Sequence, residues 1–106
     1  MQETRINPRA PYIVQADPLL KPLIPDYLAK RRGDLQRLDD ALGRKDFTAL
    51  RKLGHDMFGS GGAYGLPPIS EFGRQIEAAA QAADAAAIRA TTADLREFLD
   101  AVKLPP

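Results

Sequence analysis

The stretch Arg51-Lys52-Leu53-Gly54-His55-Asp56-Met57-Phe58-Gly59-Ser60-Gly61-Gly62-Ala63-Tyr64-Gly65 decides how the rest of the chain is read. It holds the single histidine and five of the eight glycines. Phe47, Leu50, Leu53, Met57, Gly61 and Tyr64 recur at steps of three and four, the period of a helix with one apolar side. Each interior glycine costs such a helix about 1 kcal/mol relative to alanine, so Gly54, Gly59, Gly61 and Gly62 need a compensating use. At about 100° per residue, His55 falls opposite the apolar stripe, on the solvent side. Arg51 and Lys52 lie one turn before it on that side; Gly59 and Gly62 lie one and two turns after, with Phe58 at the margin. Gly54 and Gly61 fall inward. The expectation is a helix whose inner glycines admit a neighbouring helix and whose outer glycines leave a clearing beside an exposed imidazole.

Working outward, Asp46 is the expected N-cap of this helix, and Gly65 ends it before Pro67-Pro68 opens the next. That next helix turns Ile69, Phe72, Gly73, Ile76 and Ala80 to one face and stops near Ala82. Asp84 then caps a last helix with Ile88, Leu95, Phe98, Leu99 and Val102 inward. Upstream, Asp17-Pro18 starts a short helix, and Pro25, lacking an amide proton, interrupts it. A longer helix follows, with Tyr27, Leu28, Arg31, Leu35, Leu38 and Leu42 in register, ending at Gly43 in an expected left-handed cap. The alanine-rich run from Gln75 to Arg89 suits close helix packing. Short connections at residues 43–45, 65–66 and 83–84 force neighbouring helices antiparallel. With no strand pattern in competition, the fold class is all-α, an up-down four-helix bundle over residues 17–103. Residues 1–16 form an extended or disordered arm that Tyr12, Ile13 and Val14 can pin to the body, and residues 104–106 form a tail.

Composition narrows the function classes. The chain has 106 residues, 27% of them charged, and a formal net charge of +1. No basic stripe interleaved with aromatics is present, which argues against a nucleic-acid partner. The absence of cysteine excludes disulfide and thiolate chemistry, and one histidine without cysteine gives no expected metal site. Neither the apolar core of a signal peptide nor about 18 consecutive apolar residues occurs, so a cytoplasmic location away from the membrane is expected; the expected oligomeric state is a monomer.

At this point the sequence resembles the histidine-containing phosphotransfer (HPt) domains of bacterial phosphorelays, over about Pro18 to Val102. The resemblance is carried by His55 with Gly59 four residues on, Gly65 ten residues on and apolar Met57 between. Leu23-Ile24-Pro25-Asp26-Tyr27-Leu28, Asp46-Phe47, Tyr64-Gly65 and Ile76-Glu77 support it. It implies a phosphoacceptor at His55 and, as partner, a receiver domain, that of a hybrid histidine kinase included, which supplies the phospho-aspartate, the Mg²⁺ and most catalytic groups. It implies a phosphoryl carrier with no cofactor of its own and no kinase activity. By the same alignment Glu77 stands where the family often places a residue that hydrogen-bonds the imidazole; read alone, Glu77 is equally a solvated charge.

The family usually has lysine three residues after the histidine, where this chain has Phe58. Arg51 and Lys52, within a turn of His55, are the cations that helical geometry offers instead. Leu20, Leu23, Ile24 and Phe58 are the expected apolar docking surface. A second function class is a binding module that docks receiver domains without carrying phosphate effectively. A third, a receiver phosphatase, would want an amide near the site, and Gln75 alone offers one.

Overall fold

The computed structural model describes residues 12–14 and 17–103. Four helices make the body: α1 (Ile24–Gly43), α2 (Phe47–Ser60), α3 (Pro67–Gln81) and α4 (Ala85–Ala101). They form the expected all-α bundle. Before α1, Asp17 accepts from the Leu19 amide at 2.9 Å, and the chain makes a turn and then a 3₁₀ segment over Lys21–Leu23 in place of a short α-helix. Pro22 and Pro25 explain the difference, since each removes a donor that a regular helix would use. Pro25 itself sits in the first turn of α1, where the missing amide costs nothing.

A single core runs through the bundle. Leu38, Leu50, Met57, Leu66, Ile69, Ile76, Ile88 and Leu95 are fully buried, and Phe72 meets Phe98 edge to face with centroids 5.7 Å apart. Thr91 and Thr92 are also buried. Thr92 satisfies its hydroxyl by donating to the Ile88 carbonyl at 2.8 Å, the usual way a helix hides a hydroxyl. Val102, expected at the inner face of α4, instead lies beyond its end in a two-residue strand.

Two parallel strands of two residues each, β1 (Tyr12–Ile13) and β2 (Val102–Lys103), pair Tyr12 with Val102 and Ile13 with Lys103. The Val14 amide continues the pairing by donating to the Lys103 carbonyl at 3.1 Å, and Val14 is buried in the core. No alternating pattern signalled strands this short. The end of the arm, where it is described, is therefore fixed to the body; the rest of residues 1–16 and residues 104–106 lie outside the described residues.

The α1–α2 and α3–α4 turns are built alike. Asp46 and Asp84 cap the following helices by accepting from the amides of Ala49 at 3.0 Å and Ala87 at 3.1 Å. Their own amides donate back to Ala41 and Ala79. The residue before each cap is left-handed, at φ 54 for Lys45 and φ 53 for Ala83. Gly43 closes α1 without that conformation, which corrects the expected glycine cap: the left-handed position falls two residues later, on a lysine. A side chain held there pays roughly 1 kcal/mol. Ala83→Gly should therefore raise the melting temperature by roughly 2–4 °C, the strain relieved exceeding the added unfolded-state entropy; thermal unfolding followed by circular dichroism reads the shift.

The glycine-rich helix is shorter than its periodicity predicts. α2 stops at Ser60, a 3₁₀ segment covers Gly62–Tyr64, and Gly65 takes φ 77. The reason lies in α3. A Cβ on Gly61 would meet the Ser70 amide nitrogen and come within 2.8 Å of the Leu66 carbonyl, and Ser70 Oγ accepts from the Gly62 amide at 2.8 Å. The chain bends as it passes the start of α3. About two turns earlier, a Cβ on Gly54 would lie 2.7 Å from both the Gly73 carbonyl and the Glu77 amide. Gly54, Gly61 and Gly73 thus bring α2 and α3 into backbone contact. α1 stands further from α2, because Tyr27 and Arg31 fill the space between them.

Candidate functional site

α2 presents His55 to solvent with its side chain 68% exposed. The close crossing with α3 brings Glu77 beside it: Nδ1 of His55 lies 3.2 Å from Oε2 of Glu77. An ionised carboxylate only accepts, so Nδ1 carries a proton and donates it, and in the neutral ring Nε2 keeps its lone pair, directed away from α3.

On the other side of His55 a groove of about 790 Å³ runs between α1 and α2. His55, Asp56 and Gly59 form its α2 wall, and Asp26, Lys30 and Arg37 line it from α1. Gly59 has nothing within 4 Å of where a Cβ would stand, so the approach past the ring is open. Of the two glycines expected to clear that approach, Gly62 has left the α-helix and does not line the groove. Leu23, 49% exposed, lines the groove, and Phe58, 47% exposed, stands outside it on α2. Leu20 is half-buried. Ile24 is buried in the core at the start of α1, so it is unavailable to a partner; this corrects its place among the docking residues. Arg51 and Lys52 are exposed, and no ion pair engages either among the described residues. Lys52 lines a second cleft of about 380 Å³ that continues the groove along α1 and α2, together with Arg37, Asp40, Arg44 and Asp56. Gln75 is half-buried on α3.

Beneath the groove lies a polar network that the pattern of charges did not reveal. Tyr27 shares a hydrogen bond with Ser60 Oγ at 2.8 Å and stacks on Tyr64 with centroids 4.2 Å apart. Burial pushes the Tyr27 phenol above its ordinary pKa of 10.0, more than the Ser60 bond and the nearby Arg31 pull it down, so the hydroxyl keeps its proton. Arg31, 3% exposed, donates to Ser60 Oγ at 3.3 Å and stands over the Tyr27 ring at 5.0 Å. Its Nε lies 3.0 Å from Asp34 Oδ2, within ion-pair range but off hydrogen-bond alignment. The other Asp34 oxygen accepts from Arg37 at 2.9 Å. The available signal was Arg31 itself: an arginine standing in an apolar stripe needs a buried partner, and Asp34 three residues on is in reach.

Among the described residues, no group of three or more histidine, cysteine or acidic side chains is placed to hold a metal ion, and no helix is long and apolar enough to cross a membrane. Compared with protein families, the chain matches the Hpt domain model over residues 23–104, more than three quarters of its length. No curated protein and no solved structure gives a significant match.

Proposed function

The chain belongs to the Hpt domain family, the histidine-phosphotransfer domains that meet receiver domains in phosphorelays, and from that premise we propose that His55 takes a phosphoryl group from the aspartate of one receiver domain and passes it to another. The observation that carries this reading is the 3.2 Å contact between Glu77 and Nδ1 of an otherwise exposed ring. It leaves one nitrogen free, oriented and accessible.

The chemistry balances without a proton being moved. The lone pair of Nε2 attacks phosphorus, the bond from phosphorus to the aspartyl oxygen breaks, and its electron pair returns to the aspartate as carboxylate. The ring becomes a phosphorylated imidazolium that retains Nδ1–H, and Glu77 sits against the positive charge that develops there. Passing the group on reverses these steps at a second aspartate. In-line positioning and charge neutralisation are the main requirements of such a transfer. The metal that such a transfer needs is supplied by the receiver. Leu23 supplies apolar contact in the groove, exposed Phe58 supplies it one turn along α2 from His55, and the open space at Gly59 lets the donor approach.

The test is incubation with a receiver domain labelled on its aspartate. Label should move to this protein in an acid-labile, base-stable form, mapped to His55 by mass spectrometry. A module that only docks receivers, the alternative that the apolar Phe58 favours, would form the complex and remain unlabelled.

A further inference from the structure

Phe58 stands on the turn after His55 and its side chain leans back toward the ring, as helical side chains do. It cannot neutralise a phosphoryl group. Resting on the phosphoryl-carrier reading, we propose that the missing positive charge comes from another helix: Arg37 of α1 faces the phosphoryl group on Nε2 of His55.

Three observations meet at this residue. The first is register. α1 and α2 run antiparallel, and Tyr27 and Arg31 both touch Ser60, so positions further along α1 face earlier positions of α2. Arg37 and Leu53 accordingly share both clefts. The Arg37 side chain leans toward the start of α1, which carries its guanidinium back to the level of His55 and Asp56. The second is room. A Cβ on Gly33 would stand 3.3 Å from an Arg37 Nη1, so the guanidinium lies along the bare backbone of Gly33. The third is support. Nη1 of Arg37 is held by Asp34, and Asp34 is fixed from below by buried Arg31 and, through it, Ser60.

Asp34 carries two arginines, so the trio is net positive, in a groove whose other charged side chains are Asp26, Lys30 and Asp56. Arg37 itself is 61% exposed along its side chain and has donors left over after binding Asp34, in the planar fork that suits phosphate oxygens. Lys30 lines the same groove, but it lies level with Ser60 and leans further from the ring. Arg51 precedes His55 on α2, and its side chain leans away along the helix.

Phosphoramidate, a small phosphoryl donor, labels an exposed histidine without any receiver, so the assignment can be tested apart from the relay reading. On the phosphorylated protein, ³¹P resonance titration reads the pKa of the phosphoryl group, which a nearby cation holds down. Arg37→Gln should raise that pKa by roughly half a unit, in line with a partly exposed charge pair, and slow transfer from a phosphorylated receiver roughly tenfold. Arg37→Lys should restore part of both effects, keeping the charge and losing the fork. Lys30→Gln, the same loss of charge in the same groove, should leave the titration where it is. Coincident titrations of Arg37→Gln and the parent protein would overturn the proposal, and so would an equal or larger shift for Arg51→Gln or Lys52→Gln. If the receiver fails to label His55 while Arg37→Gln still shifts the titration, the relay reading falls and the assignment of Arg37 stands.

Discussion

Glutamine in place of His55 is expected to abolish phosphoryl uptake, by at least about three orders of magnitude in rate, and to leave the bundle folded. The first half follows from chemistry: an amide nitrogen has no free lone pair to attack phosphorus, and no other side chain on that face is a nucleophile of comparable strength. The second half follows from exposure. The ring makes a hydrogen bond to Glu77 on the surface, and substitutions of that kind usually change stability by less than about 0.5 kcal/mol. The measurements are label transfer from a phosphorylated receiver and the thermal midpoint of the same sample. A variant that unfolds would contradict the surface placement of His55; a variant that still takes label would move the phosphoacceptor elsewhere.

The largest structural effect is expected far from solvent, at Gly73. A Cβ there would meet the Phe58 amide nitrogen, come within 2.5 Å of the Gly54 carbonyl and within 2.7 Å of Met57 Cβ. Two of these three atoms are backbone and cannot turn aside, so α2 and α3 must separate. Overpacking of this kind costs about 1–3 kcal/mol, against which alanine's better helix propensity returns about 1 kcal/mol. A net loss of roughly 1 kcal/mol corresponds to a melting temperature lower by about 4–8 °C in a domain this size. The same separation would pull Glu77 from Nδ1, so Gly73→Ala should also slow phosphorylation of His55, whereas a substitution at Gly59, where nothing lies within 4 Å, should spare the fold. An unchanged melting temperature for Gly73→Ala would mean that the close crossing is not what holds the two helices.

Much of this was legible in the order of residues. Apolar positions at helical spacing mark all four helices, Asp46 and Asp84 announce two of their starts, and the division of the glycines into inner Gly54 and Gly61 and outer Gly59 follows from rotation about one axis. Those are local facts. The stop at Ser60 was not legible, because it is imposed by Ser70 on the next helix and leaves the 3.6-residue period unbroken. Lys45 and Ala83 carry no mark of a left-handed residue; the turn they close demands it. Ile24 reads as one more apolar residue beside Leu23, and only the packing of α1 separates the buried residue from the exposed one.

The histidine could be read as exposed from α2 alone, and Glu77 came into view by alignment with a family. Arg37 required more than either. It lies 18 positions before His55 on a different helix, and its relation to the ring depends on how α1 slides against α2, a register set by Tyr27, Arg31 and Ser60. Side chains that meet through tertiary register leave no fixed spacing in the chain.

The unequal spacing of the helices bears on the order in which the fold assembles. The backbone crossing of Gly54 with Gly73 closes a loop of about 20 residues, whereas Tyr12 and Val102 close one of about 90 for the gain of two paired residues and the burial of Val14. Each doubling of a loop adds only about 0.6 kcal/mol of closure entropy, yet two doublings are a large share of what so small a pair can return. The α2–α3 hairpin, which carries both His55 and Glu77, is therefore the natural nucleus of folding. The strand pair that ties the two ends together is the natural last step, and the first to let go when the chain opens.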